Sequence, residues 1–192
     1  MSQDEQGPLL DRAHIESLIA ELGERCAARG FTVEMFLVGG AAMALAYSRL
    51  RTTRDLDAIF EPKTLVYDEA RRLAADRGLP PDWLNDAVKG LLPDRRDTGE
   101  QVTFSSNGIS VAIASAEYLF AMKAASARQE ADGEDLITLA ALLRITTQTQ
   151  ATAMIERFYD PSRLSAKSRF FIQGIFADPA NGLQTEAEQP PS

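Results

Sequence analysis

An α+β fold, in which a small mixed sheet is packed with helices and followed by a C-terminal helical region, is what this sequence of 192 residues predicts. Three observations predict it. Short apolar runs of strand character recur up to Ala114 and give way to helical periods beyond Ser115. Asn107-Gly108 stands between two such runs, the strongest short-range hairpin signal. A hydrophobic content of 45 % is enough to bury a full core.

The elements follow in order. Asp11 to Arg29 carries apolar residues at Ile15, Leu18, Ile19, Leu22 and Cys26, a helical period with an Asp at its start and Gly30 just after it. Phe31 to Val38 reads as a strand, Ala41 to Ser48 as an alanine-rich helix, and Asp55 to Phe60 as a second strand ended by Pro62. Thr64 to Arg77 is a helix stopped by Gly78 and Pro80-Pro81, and Pro80 to Glu100 has loop composition. Val102 to Ser105 and Ile109 to Ala114 form the hairpin. Ser115 is placed to cap a helix over Ala116 to Arg128, and Asp132 to cap the next, Gly133 to Arg144. Helices over Thr147 to Tyr159 and Ser165 to Phe176 complete the chain. The organisation expected is a flexible N-terminus over 1–10, an α/β core over 11–114, a helical region over 115–178 packed on the core, and a disordered tail over 179–192.

Composition narrows the function. A net charge of -8 opposes broad, nonspecific nucleic-acid binding, which depends on many Lys and Arg contacts to phosphate. The single cysteine, Cys26, rules out an internal disulfide and suits a reducing cytoplasm. The first eight residues are polar and acidic, unlike a signal peptide, and the uncharged run Met35 to Ser48 is too short to span a bilayer. A cytoplasmic protein with no membrane partner is expected. His14 reads as a surface helix residue and Cys26 as helix packing. Trp83, in the proline-rich loop, either anchors that loop in the core, the commoner use, or stacks on a base.

The chemistry is concentrated in Phe36 to Asp57. Gly39 and Gly40 follow a strand and precede a helix, which lets backbone pass close to a ligand and aims N–H groups at phosphate oxygens. Asp55 and Asp57 are spaced i, i+2, so an extended chain puts both on one face with Cα atoms roughly 6.5 Å apart. Two carboxylates on one face suit Mg²⁺, which prefers hard oxygen ligands and is completed by the phosphates of a substrate. Arg49, Arg51 and Arg54 supply local positive charge for an anionic nucleotide, and the Thr53 hydroxyl steadies the strand.

The pattern Gly39-Gly40, then Arg51-x-Thr53-x-Asp55-Leu56-Asp57, resembles the minimal nucleotidyltransferases of the polymerase-beta-like superfamily, in particular the AbiEii-type toxin group and a related branch, the DUF6036 family. Lys123-Ala-Ala-Ser-Ala-Arg128 and Asp132-Gly-Glu-Asp135-Leu136 are similar to the later elements of those families, and Trp83-Leu-Asn-Asp-Ala87 is similar to the DUF6036 branch. The likeness spans roughly Phe31 to Phe158. It implies a nucleotidyltransferase in which Asp55 and Asp57 bind Mg²⁺, Gly39, Gly40, Arg51, Thr53 and Arg54 hold the NTP, and Lys123 and Asp135 join the catalytic set. The acceptor it implies is a tRNA or a protein, with a cognate antitoxin as partner.

Two rivals stand beside this reading: a nucleotidyltransferase of small molecules, as in the antibiotic-modifying enzymes, and a non-catalytic module that binds nucleotide or a partner. One departure separates them. Many polymerase-beta-like enzymes carry a third carboxylate on a later strand, and the matching run Ile109 to Ile113 has none. Either Asp135 or another acid substitutes, or nucleotide is bound without turnover.

Overall fold

The structure, a computed structural model, describes residues 7–99 and 101–183, with backbone alone at 101–103 and 129–131. The expectations for residues 1–6 and 184–192 lie outside the described residues. Within them the protein is α+β, with seven α-helices and one five-stranded sheet. The chain divides into two compact units, Met1–Gly90 with Glu100–Ala114, and Leu91–Gly99 with Ser115–Ser192.

The first unit holds the sheet, ordered β3-β2-β1-β5-β4: β1 Val33–Leu37, β2 Leu56–Glu61, β3 Leu84–Asn85, β4 Gln101–Ser106 and β5 Ile109–Ile113. β1 is antiparallel to β2 and parallel to β5; β3 is parallel to β2, and β4 antiparallel to β5. Alternation decides the faces. Val33, Met35, Leu37, Leu56, Ala58, Phe60, Ile109, Val111 and Ile113 are buried, while Glu34, Phe36, Asp57, Ile59, Glu61, Ser110 and Ala112 between them keep solvent exposure.

Helix α1 (Arg12–Ala28) is capped by Asp11, whose carboxylate accepts the His14 backbone N–H at 3.0 Å, and its buried stripe is Ile15, Leu18, Ile19, Leu22 and Cys26. His14 is exposed, with Nδ1 2.8 Å from Asp11 Oδ1. A Cβ at Gly23 would lie 2.5 Å from Ile109 Cγ2, so α1 rests directly on the hairpin strand. Burial pushes the Cys26 thiol up to about 11, Glu69 adding to the effect and Arg29 opposing it, so it stays protonated packing. Helix α3 (Lys63–Arg77) receives the Trp83 indole N–H on the Ala70 carbonyl at 3.0 Å, and Trp83 is 1 % exposed. Trp83 is therefore a core anchor and offers no face for base stacking.

Three local expectations are corrected. The helix after the glycines starts at Gly39, runs as α2 over Gly39–Ala42 and continues as a π-helix over Met43–Tyr47. The Pro80 to Glu100 segment is not all loop: Leu56 N–H donates to the Trp83 carbonyl at 2.6 Å and opens β3, and a 3-10 turn follows over Ala87–Leu91. Asp132 is not an N-cap, because α5 (Gln129–Leu143) begins three residues earlier and Asp132 turns inward to a buried lysine.

The regular elements of the second unit after Ser115 are all helical among the described residues, while residues 92–99 form an irregular segment. Ser115 caps α4 (Ala116–Ser126), Thr147 caps α6 (Gln148–Glu156) and Ser165 caps α7 (Ala166–Ala177), each accepting a backbone N–H three residues on. Buried Asp97 locks the start of α4, accepting the Ser115 N–H at 2.7 Å and its hydroxyl at 2.8 Å. Arg95 donates to the Arg157 carbonyl at 3.0 Å, at the C-terminal end of α6. Among the described residues no helix is long and apolar enough to cross a membrane.

Candidate functional site

In the first unit the glycine pair and the aspartate segment are brought into contact. Val38 N–H donates to the Asp57 carbonyl at 3.0 Å, which extends the β1–β2 ladder by one step and delivers Gly39 beside Asp57. Gly39 has φ +63, and a Cβ there would lie 2.7 Å from Asp57 Oδ2. Neither the conformation nor the space admits a side chain. A Cβ on Gly40 would lie 2.6 Å from Thr53 Oγ1, so the second glycine is packed just as closely on the neighbouring hydroxyl. The two glycines put bare backbone directly against Asp57 and Thr53.

Thr53 is fixed from both sides. Its backbone exchanges two hydrogen bonds with Leu10, at 2.7 and 3.0 Å, and its hydroxyl donates to the Asp55 carbonyl at 3.1 Å. This short-range bond bends the chain, so Asp55 precedes β2 and only Asp57 lies within the strand. Both carboxylates are partly exposed. Arg54 is exposed and donates to the Gly7 carbonyl at 3.0 Å, while Arg51 is half-buried.

Asn85 is the residue that sequence reasoning left out of the site. It is the β3 partner of Asp57 in the ladder, its Nδ2 donates to Asp55 Oδ2 at 3.1 Å, and its Oδ1 accepts the Ala87 N–H at 3.1 Å. One amide thus touches one aspartate and is registered on the other. The signal in the sequence was faint: two ladder residues, Leu84-Asn85, hidden among prolines and charges. Next to it, Asp86 Oδ2 lies 2.6 Å from Lys63 Nζ and 2.8 Å from Lys89 Nζ, and Oδ1 accepts the Tyr67 hydroxyl at 2.6 Å. The two ammonium groups and the phenol hold its carboxyl well below the usual carboxylate range.

The second block forms a different structure in the second unit. Lys123 on α4 is 4 % exposed, and its ammonium lies 2.9 Å from Asp132 Oδ1 and 2.8 Å from Asp135 Oδ2 on α5. Asp132 also accepts the Ser126 hydroxyl at 2.6 Å and the Arg128 Nε–H at 3.1 Å. Burial works to raise the Asp132 carboxyl, but Lys123, Ser126 and Arg128 outweigh it and hold it below the usual range.

Mg²⁺ is the ion implied for Asp55 and Asp57. Among the described residues no group of three or more His, Cys, Asp and Glu is placed to hold a metal, so a closed protein cage is absent there. A pair of carboxylates on an accessible strand end, with backbone approaching at Gly39, still fits a Mg²⁺ that keeps water and substrate oxygens as its other ligands. Comparison of the chain with protein-family models, curated proteins and solved structures finds no match.

Proposed function

We propose that the protein is a Mg²⁺-dependent nucleotidyltransferase that moves an NMP from an NTP to an acceptor hydroxyl. The reading is carried by one observation: Gly39 and Gly40 leave no room for any side chain between the backbone and the Asp57 carboxylate and Thr53 hydroxyl. Backbone packed that tightly holds the Asp57 carboxylate and the Thr53 hydroxyl in place, and phosphate oxygens brought beside such a carboxylate are repelled unless a divalent cation mediates. Bound Mg²⁺, held by Asp55 and Asp57, would supply charge neutralisation for the triphosphate.

The chain's own residues have defined tasks in this reading. Asn85 orients Asp55 through the 3.1 Å hydrogen bond, and Thr53 fixes the approach of the strand. Arg51 and Arg54 are the cations nearest in sequence for the phosphates. The acceptor oxygen forms a bond to the α-phosphorus, the α–β bridging P–O bond breaks, and pyrophosphate leaves with that electron pair. The acceptor proton passes to a carboxylate or to solvent.

The acceptor classes are an RNA such as tRNA or a protein, in the setting of a toxin with its antitoxin, and a small molecule as the second reading. The acidic outer face of the sheet, with Glu34 and Glu61 exposed, favours the second. The test incubates purified protein with each α-labelled NTP and Mg²⁺, against total RNA, cell lysate protein and a small-molecule extract. Label in one fraction, lost with Asp57→Asn, supports the reading; NTP binding with no label in any fraction supports the non-catalytic module.

A further inference from the structure

The outer face of the sheet is a grid whose rows are set by the ladder. Glu61, Glu34 and Ser110 form one row, Ile59, Phe36 and Ala112 the next, and Asp57, beside Val38, begins the third. The first two rows line a hollow of about 410 Å³, a volume that suits a small molecule. Its floor is apolar and half-buried; its rim is two exposed carboxylates placed directly opposite each other on antiparallel strands.

Like charges in that position repel. Among the described residues neither Glu34 nor Glu61 forms an ion pair: Glu61 Oε2 accepts the Lys63 backbone N–H at 3.1 Å, while the Lys63 ammonium lies on Asp86. A cation between the two glutamates would remove the repulsion, and an apolar body attached to it would cover the floor. We propose that this face binds a small organic cation, with an ammonium or guanidinium seated between Glu34 and Glu61 and an apolar body over Phe36, Ile59 and Ala112.

The consequence for specificity rests on the nucleotidyltransferase reading. Asp57 is four residues from Glu61 along β2, roughly 13 Å at strand rise, and on the same face. A hydroxyl at the far end of an elongated amino alcohol would reach the aspartates, which makes that class of molecule the acceptor. A polyanion such as RNA would meet the carboxylate rim first.

The experiment titrates the full-length protein, without NTP or metal, with tyramine, its uncharged analogue N-acetyltyramine, and tetralysine. The expected result is saturable tyramine binding, at least tenfold weaker for N-acetyltyramine and for the Glu34→Gln/Glu61→Gln double variant, with that variant folded by circular dichroism and melting no lower than wild type. Equal affinity for the two tyramines, unchanged affinity in the double variant, or no saturation below about 10 mM overturns the proposal. Tetralysine binding more tightly than tyramine would assign the face to a protein segment and also overturns it. The two readings fail separately: label transfer by a protein that ignores tyramine removes the amine site alone, and tyramine binding without transfer to any acceptor removes the enzyme alone.

Discussion

Each unit of this protein carries a pair of aspartates beside basic residues, and the two pairs live in opposite environments. Asp132 and Asp135 are buried, at 1 % and 4 % exposure, and share a lysine that is itself buried. Asp55 and Asp57 are partly exposed, touched by an amide and by glycine backbone. The difference teaches what a carboxylate pair is for. A pair whose counter-charge is built into the fold ties α4 to α5 through the Lys123 ammonium. A partly exposed pair beside glycine backbone is the one that the proposed reading assigns to Mg²⁺.

The largest effect should come from breaking the closed pair. Lys123→Met leaves two buried carboxylates without their ammonium, and removing one partner of a buried ion pair costs roughly 3–5 kcal/mol. Urea unfolding followed by far-UV circular dichroism measures it. Adding Asp135→Leu to Lys123→Met should recover part of the loss; no recovery would mean that Lys123 acts by packing instead of by charge.

Acid sharpens the same contrast. The Asp132 carboxyl lies below its ordinary value of 3.8 when folded, so its contribution to stability is complete above that value and drains away as the pH falls toward the depressed one. The stability gap between wild type and Asp132→Asn should therefore hold at neutral pH and narrow as the pH falls through 3.8 and below. Asp86 in the first unit is depressed in the same direction, so the signal is the difference between the two proteins and not the slope of either alone. A gap independent of pH would remove the charge argument for Asp132.

A smaller loss is expected at the open pair. Gly39→Ala must hold φ +63 and place a methyl carbon within 2.7 Å of Asp57 Oδ2, a strain of about 2 kcal/mol. Gly40→Ala faces the Thr53 hydroxyl without a left-handed backbone, so its cost should be lower. Thermal midpoints rank the two. If Gly40→Ala proves the more damaging, Thr53 and not Asp57 is the tighter wall of the site.

Much of this was legible in the chain because it is local. The helix starts at Asp11 and Ser115 and the Asn107-Gly108 hairpin each follow from a few neighbouring residues. What escaped depends on partners far away. β3 is two residues long and exists because Leu56 needs an acceptor across the edge of the sheet, so no alternation announces it. Asn85 enters the site through that edge, 30 residues from Asp55. Asp132 stands where a cap would serve α5, but the buried ammonium of Lys123 outbids the free N–H groups of a helix end. The glycine pair and the aspartates were legible as parts, and their contact was not, since it depends on the β1–β2 register.

The smallest stability change, and the most discriminating, is expected from Asp57→Asn. The amide has the size of the carboxylate, so it fits the space that Gly39 leaves, and the residue is only partly buried. Unfolding free energy should stay within about 0.5 kcal/mol of wild type, on the stabilising side because one of two nearby like charges is gone. Mg²⁺ should then raise the thermal midpoint of wild type in the presence of NTP and leave that of the variant unmoved. Transfer of NMP should be lost entirely. A variant that loses several kcal/mol instead would mean that Asp57 is as structural as Asp132, and the contrast between the two units would collapse; a variant that keeps the Mg²⁺ shift would move the metal to other residues.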